Sequence, residues 1–128
     1  MGSYGQVALK AVELIRTGKA TDPTDAWEIA ASQLFRAKTS MQRKGCPKGA
    51  FLGLCEEGFV KVIPSGHYTR SKKNKSYAVK AVSILKNNPT KDYTENELWN
   101  EVIGNEHKKA YNQQMDVVLT LWKNGFIQ

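Results

Sequence analysis

Basic side chains cluster in two short segments of the sequence, and their chemistry suits the binding of phosphate. The chain has 19 lysines and arginines against 12 aspartates and glutamates, a formal net charge of +7. This excess favours a polyanionic partner without specifying it. The two clusters could neutralise several phosphates, and binding would then weaken steeply with salt. The residues predicted to contact phosphate are Arg43, Lys44, Lys48, Arg70, Lys72, Lys73 and Lys75.

A solvated loop and helix start would carry the same charges, and for a single basic run this interpretation is as good as the functional one. A second set of polar side chains, later in the sequence, could meet the edges of bases. These side chains suit any exposed helical face, and that is the interpretation we favour. The set consists of His107, Lys108, Lys109, Asn112, Gln113 and Gln114.

Cys46 is the candidate nucleophile. It should lie at a helix N-terminus between Lys44 and Lys48, a setting that stabilises a thiolate. A thiol enzyme that acts through Cys46, with His67 as base, is therefore one hypothesis. The local sequence places no base beside this thiol, which favours an inert packing cysteine, and Cys55 should be part of the core. The two cysteines are separated by about 13 Å of helix, too far for a disulfide, so we expect free thiols.

No metal site and no cofactor are predicted. The two cysteines and two histidines of the chain form neither a Cys-x-x-Cys pair nor a histidine pair at ligand spacing. Gly45, Gly49 and Gly53 are not followed by the Gly-Lys-Ser/Thr ending of a nucleotide-binding loop. Their four-residue spacing places them on one face of a helix, where close helix packing is the simpler explanation.

Hydrophobic periodicity predicts six helices that would position these side chains. Asp22 followed by Pro23 is a helix start, and Thr94 followed by Glu97 is a capping box. The basic stretch 38–45 is predicted to be a loop. Residues 59–63 are rich in β-branched types and precede a Pro-Ser-Gly turn, which predicts a short β-hairpin near 59–69. The predicted helices span about 6–16, 22–35, 47–57, 73–86, 94–103 and 106–124.

The two halves of the sequence resemble one another. Residues 8–15 match 78–85 at an offset of 70, Trp27 matches Trp99 at an offset of 72, and the Gly-Phe sequence at 58 matches that at 125 at an offset of 67. These matches predict an all-α single domain, 1–128, that contains an internal repeat of two three-helix units, 4–63 and 73–128. We expect Trp27 and Trp99 in equivalent buried places.

Three helices followed by Gly-Phe and a β-branched residue form an order that resembles winged-helix DNA-binding domains. In that resemblance the third helix, with Lys48 near its start, enters the major groove, and residues 59–63 form the first strand of the wing. The connection 38–45 is longer than the three or four residues of a helix-turn-helix, and the second half lacks a wing segment.

The chain resembles more closely a family of small bacterial proteins with no assigned function. The recurring pieces are residues 4–8, 44–58 and 68–75. This resemblance spans nearly the full length and implies no activity, substrate or site.

The leading hypothesis is a non-enzymatic module that binds nucleic acid, with DNA as the expected partner. The alternative is a protein-interaction or small anionic-ligand domain in which the cations converge on a concave site beside Cys46. A protein partner or a homodimer is compatible with either. No apolar run approaches the ~20 residues that cross a bilayer, and the first residues lack the order of a secretion signal, so we expect a cytoplasmic protein without a membrane partner.

Overall fold

The computed structural model of the chain describes residues 2–36, 39–104, 111 and 113–128, and its regular secondary structure there is helical. The predicted all-α class is confirmed, with six helices of nine or more residues. A four-residue helix, α3, lies in the stretch that was predicted to be a loop. In chain order the helices are α1 (Ser3–Arg16), α2 (Pro23–Phe35), α3 (Thr39–Gln42), α4 (Gly45–Glu56), α5 (Lys72–Asn87), α6 (Glu95–Ile103) and α7 (Gln114–Lys123).

Local capping signals explain where α2 and α6 begin. The Asp22 side chain accepts hydrogen bonds from the backbone N–H groups of Thr24 and Asp25, and Pro23 occupies the first turn. Thr94 and Glu97 form the reciprocal capping box at the start of α6. Both caps satisfy backbone donors that would otherwise lack a partner at a helix N-terminus.

The prediction of a β-hairpin near 59–69 is wrong, because the described part of the chain contains no strand there. Val60 instead forms an isolated antiparallel bridge with Ile127. Two backbone hydrogen bonds, of 2.8 and 2.9 Å, join residues 59–61 to 126–128. Val62 has a φ of 66°, which ends the extended run. The β-branched segment therefore pairs with a partner far away in sequence rather than with the residues that follow it.

Helices α4 and α7 form the centre of the fold. Residues 49–55 of α4 and 114–121 of α7 are continuously buried. A helix that is buried all round needs neighbours on every side, and here α5 packs against both central helices while α1 packs against α7. The buried hydrophobic residues of the two halves form one core.

Four helices begin close together, at what we call the N-terminal end of the bundle. Asp116 in the first turn of α7 contacts the start of α1 at Gly5. The Nε2 of Gln114 donates to Oδ1 of Asn74 in the first turn of α5 at 3.1 Å. Gln113, which precedes α7, accepts a hydrogen bond from Lys44, which precedes α4. The starts of α1, α4, α5 and α7 are thus neighbours, whereas the opposite ends of α4 and α7 are joined by the bridge at Val60.

The two halves end their corresponding helices in the same way. Gly58 and Gly125 follow α4 and α7 with φ values of 76° and 78°, as expected for a left-handed helix cap. The residues that follow α2 and α6, Arg36 and Gly104, also share one conformation, with φ/ψ of 50/−113° and 55/−115°. Trp27 and Trp99 are 1% and 4% exposed. These equivalences agree with an internal repeat, and the duplication itself stays a prediction.

The last helix begins later than the sequence indicated. It was predicted from about residue 106, but Tyr111 and Gln113 precede α7, and Gln113 has a left-handed φ of 65°. Residues 106–110 and 112 of the predicted helix lie outside the described residues. Among the described helices, none is both long and apolar enough to cross a bilayer.

Candidate nucleic-acid interface

The fold brings the two predicted cationic segments together at the N-terminal end of the bundle. Residues 43–48 span the start of α4 and residues 70–75 span the start of α5. The contact between them is close: a Cβ placed on Gly49 would lie 3.0 Å from Cβ of Asn74 and 3.2 Å from Cβ of Ser71. Close packing was predicted for the glycines of α4, and it is confirmed at Gly49. The two segments are therefore adjacent in space although about 25 residues separate them in the chain.

Four of the predicted cations are free to meet an anion. Arg43, Arg70, Lys72 and Lys73 are exposed, and none of them has an acidic partner within the part of the chain that the structure describes. We call these four residues the cationic surface. The partial positive charges of the neighbouring helix starts add to their field.

Lys75, in contrast, is already neutralised. Its Nζ lies 2.6 Å from Oε2 of Glu56 and 2.7 Å from Oε1 of Glu57. Its stem crosses α4 at Gly53, where a Cβ would lie 2.6 Å from Cα of Lys75. The pKa of Lys75 is raised above its usual value, mainly by its hydrogen bond to Glu56 and to a smaller extent by that to Glu57. This side chain is thus part of the packing between α4 and α5 rather than a free phosphate contact.

Lys44 and Lys48 are half-buried and have partners of their own. Lys48 forms an ion pair of 2.9 Å with Glu28 on α2, whose side chain is 60% exposed. An ion pair this exposed is weak and can be exchanged for another anion. Lys44 donates to the side-chain oxygen of Gln113, and its Nζ lies 5.7 Å from the centre of the Tyr4 ring. Lys44 therefore helps to hold the helix starts together.

Asp116 is the buried anion of this end of the molecule, and no local sequence pattern marks it as such. Its side chain accepts hydrogen bonds from the backbone N–H groups of Gly2 at 3.0 Å and Gly5 at 2.9 Å. It is 3% exposed. The first residues of α1 have no side-chain cap of their own, so Asp116 supplies the negative charge that a helix N-terminus favours. A Cβ on Gly5 would lie 2.1 Å from Oγ1 of Thr120, so a larger residue does not fit there.

Tyr111 links Asp116 to α6. Its hydroxyl group donates to Glu95 and accepts from the backbone N–H of Asp116. Burial and the adjacent Glu95 raise the pKa of the Tyr111 phenol. The phenol therefore stays protonated and acts as a structural hydrogen-bond donor.

Glu56 fixes the loop that leads to α5. Its Oε1 accepts from the backbone N–H groups of Tyr68 at 2.8 Å and Thr69 at 3.2 Å, while its Oε2 meets Lys75. The Lys75 ammonium and these two N–H groups lower the pKa of Glu56 to about 2. Residues 67–70, which carry one edge of the cationic surface, are thus attached to the end of α4. Sequence reasoning missed this role because nothing local marks Glu56 as the acceptor.

The winged-helix resemblance finds no support in this architecture. The third long helix, α4, is buried from Gly49 to Cys55, so only its first turn is left to meet a major groove. Gln113 and Gln114 are not base-reading side chains either, since Gln113 contacts Lys44 and Gln114 is 2% exposed. The remaining residues of that predicted set, His107, Lys108, Lys109 and Asn112, lie outside the described residues.

The thiol hypothesis loses its proposed base. Cys46 is partly exposed in the first turn of α4. His67 lies near Glu56, and Glu56 is about 15 Å further along α4 than Cys46. Both cysteines are free, and burial raises the pKa of Cys55. Within the described ranges no group of three or more His, Cys, Asp or Glu could hold a metal ion. Cys46 as a nucleophile stays an untested prediction.

Comparison with known proteins identifies the family of the chain but indicates no activity. No curated protein and no solved structure matches the chain significantly. Over residues 1–128, the chain belongs to DUF6979, a family of unknown function.

Proposed function

We propose that this protein binds the phosphate backbone of nucleic acid, with duplex DNA as the expected partner, through the cationic surface at the N-terminal end of the bundle. The observation that supports the proposal is the packing of Gly49 against Ser71 and Asn74, which brings the two basic segments next to each other. Arg43, which precedes α4, is exposed, and so are the three cations around the start of α5.

The chemistry favours backbone binding over base reading. Most of α4 is buried and unavailable to a major groove, and the exposed side chains of the surface are arginine and lysine, which bind phosphates without regard to sequence. Four free cations that each displace one counterion from B-DNA would give a slope of log K against log salt of about −3.6. Affinity should therefore be modest and should fall strongly as salt rises.

The test compares two variants with the same net charge. The first removes three cations of the surface by combining Arg70→Gln, Lys72→Gln and Lys73→Gln. The second removes three exposed cations elsewhere by combining Lys10→Gln, Lys19→Gln and Lys61→Gln. Each lowers the net charge from +7 to +4, since 7 − 3 = 4, so a general charge effect is the same in both.

Titration of a fluorescent 20-base-pair duplex at low salt should show much weaker binding for the surface variant than for the control variant. Each lost phosphate contact reduces affinity severalfold at low salt, so three should reduce it by about two orders of magnitude. Equal affinities of the two variants, or no binding by the native protein at low salt, would show that the proposal is wrong.

The alternative of a small anionic ligand also stays a prediction. A concave site beside Cys46 was the expected sign of it. A groove of about 530 Å³ lies instead along the start of α5, where it is lined by Arg70 and Lys72. The cations therefore border a concavity, although a different one from that predicted.

A further inference from the structure

A groove of about 530 Å³ lies between the end of α4, the loop before α5 and the first turns of α5. This volume lies within the range of small-molecule sites in proteins, roughly 300–1,000 Å³. Two other concavities at the α6–α7 side are smaller, about 330 and 200 Å³. The groove is thus larger than either of these two concavities, and nothing in the proposed binding of a nucleic-acid backbone requires it.

The walls of the groove are fixed before any ligand enters. Glu56 holds the backbone of Tyr68 and Thr69, and Lys75 pairs with both Glu56 and Glu57. Oγ1 of Thr69 accepts from the backbone N–H of Ser71, which fixes the turn into α5. A preformed site costs little ordering of the protein when a ligand binds.

The groups that remain free in the groove include both positive and negative side chains. Arg70 and Lys72 are exposed cations whose side chains have no acidic partner among the residues the structure describes. Glu57 is an acceptor that is only partly used: its carboxylate has about four acceptor sites, and the Lys75 ammonium contacts one oxygen at 2.7 Å. Val79 adds a half-buried apolar wall. The groove therefore offers cations, a carboxylate acceptor and an apolar face together.

We propose that this groove binds a nucleoside 5′-monophosphate, free or at the end of a strand, with its phosphate on Arg70 and Lys72 and its base donating to Glu57. The phosphate matches the guanidinium and ammonium groups, for which arginine offers two parallel donors. Guanine is the base that fits best, because its N1–H and amino group are adjacent donors that a carboxylate can accept together. Uracil presents a single N–H between two carbonyl groups, which the carboxylate repels.

A substitution at Glu57 distinguishes this inference from the proposed backbone binding. The two share Arg70 and Lys72, so loss of either cation weakens both kinds of binding. Glu57→Gln removes a negative charge near the surface, which leaves DNA affinity unchanged or increases it. The same substitution removes the acceptor for guanine, and loss of a hydrogen bond to a charged group should weaken GMP binding roughly tenfold. Lys75 keeps its ion pair with Glu56 in this variant.

The experiment is isothermal titration of the full chain with GMP, UMP and inorganic phosphate, repeated for Glu57→Gln and for Lys61→Gln as an exposed control. A guanine-ended single-stranded oligonucleotide, with and without its 5′-phosphate, tests the strand end as the source of the nucleotide. The expected result is that GMP, or the phosphorylated strand end, binds at least about tenfold more tightly than UMP. Only the Glu57 variant should lose this preference.

Three results would overturn the inference. The first is that neither GMP nor the phosphorylated strand end binds at millimolar concentration. The second is that GMP and UMP bind equally tightly, and the third is that Glu57→Gln leaves GMP binding unchanged. DNA binding by the native protein that persists in any of these cases would leave the backbone proposal intact. GMP binding without DNA binding would reject the backbone proposal alone.

Discussion

Replacement of Asp116 by asparagine should destabilise the protein strongly, although the two side chains have nearly the same shape. The carboxylate receives the N–H groups of Gly2 and Gly5 at 3.0 and 2.9 Å, and Oγ1 of Thr120 at 3.4 Å. An amide retains one oxygen, so one of the two backbone donors would face an NH2 group and lose its acceptor. The negative charge at the start of α1 would be lost as well.

The size of the effect follows from these two losses. A buried donor left without a partner costs about 1–3 kcal/mol, and a charge at a partly buried helix terminus contributes up to about 2 kcal/mol. Together they give about 1–5 kcal/mol. For a chain of 128 residues, the entropy of unfolding is about 0.27 kcal/mol/K, so the melting temperature should fall by about 4–18 °C.

The assay is thermal unfolding followed by circular dichroism, with Asp92→Asn as the matched control. Asp92 also carries one negative charge, but its side chain is 89% exposed and it pairs with Lys123 only across 3.3 Å at the surface. Its replacement should move the melting temperature by less than about 2 °C. Equal shifts for the two variants would show that Asp116 does not cap α1.

Three further predictions test the packing around the interface. Glu56→Gln should lower the free energy of unfolding at neutral pH. The difference in this free energy between variant and native protein, measured by urea unfolding, should shrink as the pH falls from about 5 towards 2, because a carboxylate with a lowered pKa stabilises only while it is ionised. A difference that does not vary with pH would contradict this. Gly53→Ala should lower the urea midpoint, since its Cβ would lie 2.6 Å from the backbone of α5, whereas Gly45→Ala meets nothing within 4 Å and should leave the midpoint unchanged. Ellman's reagent should find one reactive thiol, Cys46, in the native protein and two after denaturation, because Cys55 is 0% exposed; rapid reaction of both would contradict the buried position of Cys55.

Local signals were enough to predict the helices and several of their ends. The capping box of Thr94 and Glu97 and the start at Asp22 involve residues within three positions of each other, so the sequence alone states them. The glycine spacing of α4 also predicted close packing, which is confirmed at Gly49 and Gly53, while Gly45 has open space around it. These features depend on neighbours along the chain or on one helix face.

The errors concern partners that are distant in sequence. A β-branched segment predicts an extended conformation, but nothing in it shows that Val60 pairs with Ile127 rather than with a following strand. The cap of α1 comes from Asp116, 111 residues after Gly5. The clustering of Lys75 with other cations predicted a free charge, whereas the fold places two glutamates beside it. Such contacts exist only once the helices have packed.

The candidate interface was predicted as a set of residues but not as a surface. The cations were identified by type, and the sequence could not show that α4 and α5 begin side by side, because that depends on the core. The third helix was assigned to a DNA groove since it follows two helices, but its apolar and glycine residues make it a central element instead. Charge therefore indicated the chemistry, and packing decided which charges remain available.

The salt dependence of duplex DNA binding is the decisive measurement for a phosphate interface at the starts of α4 and α5. We expect a linear fall of log K with log salt, with a slope near −3.6 for the native protein and a slope less steep by about 2.7 when Arg70, Lys72 and Lys73 are replaced by glutamine. The triple replacement of Lys10, Lys19 and Lys61 should keep the native slope. Binding that ignores salt, or the same slope for all three proteins, would be incompatible with this interface.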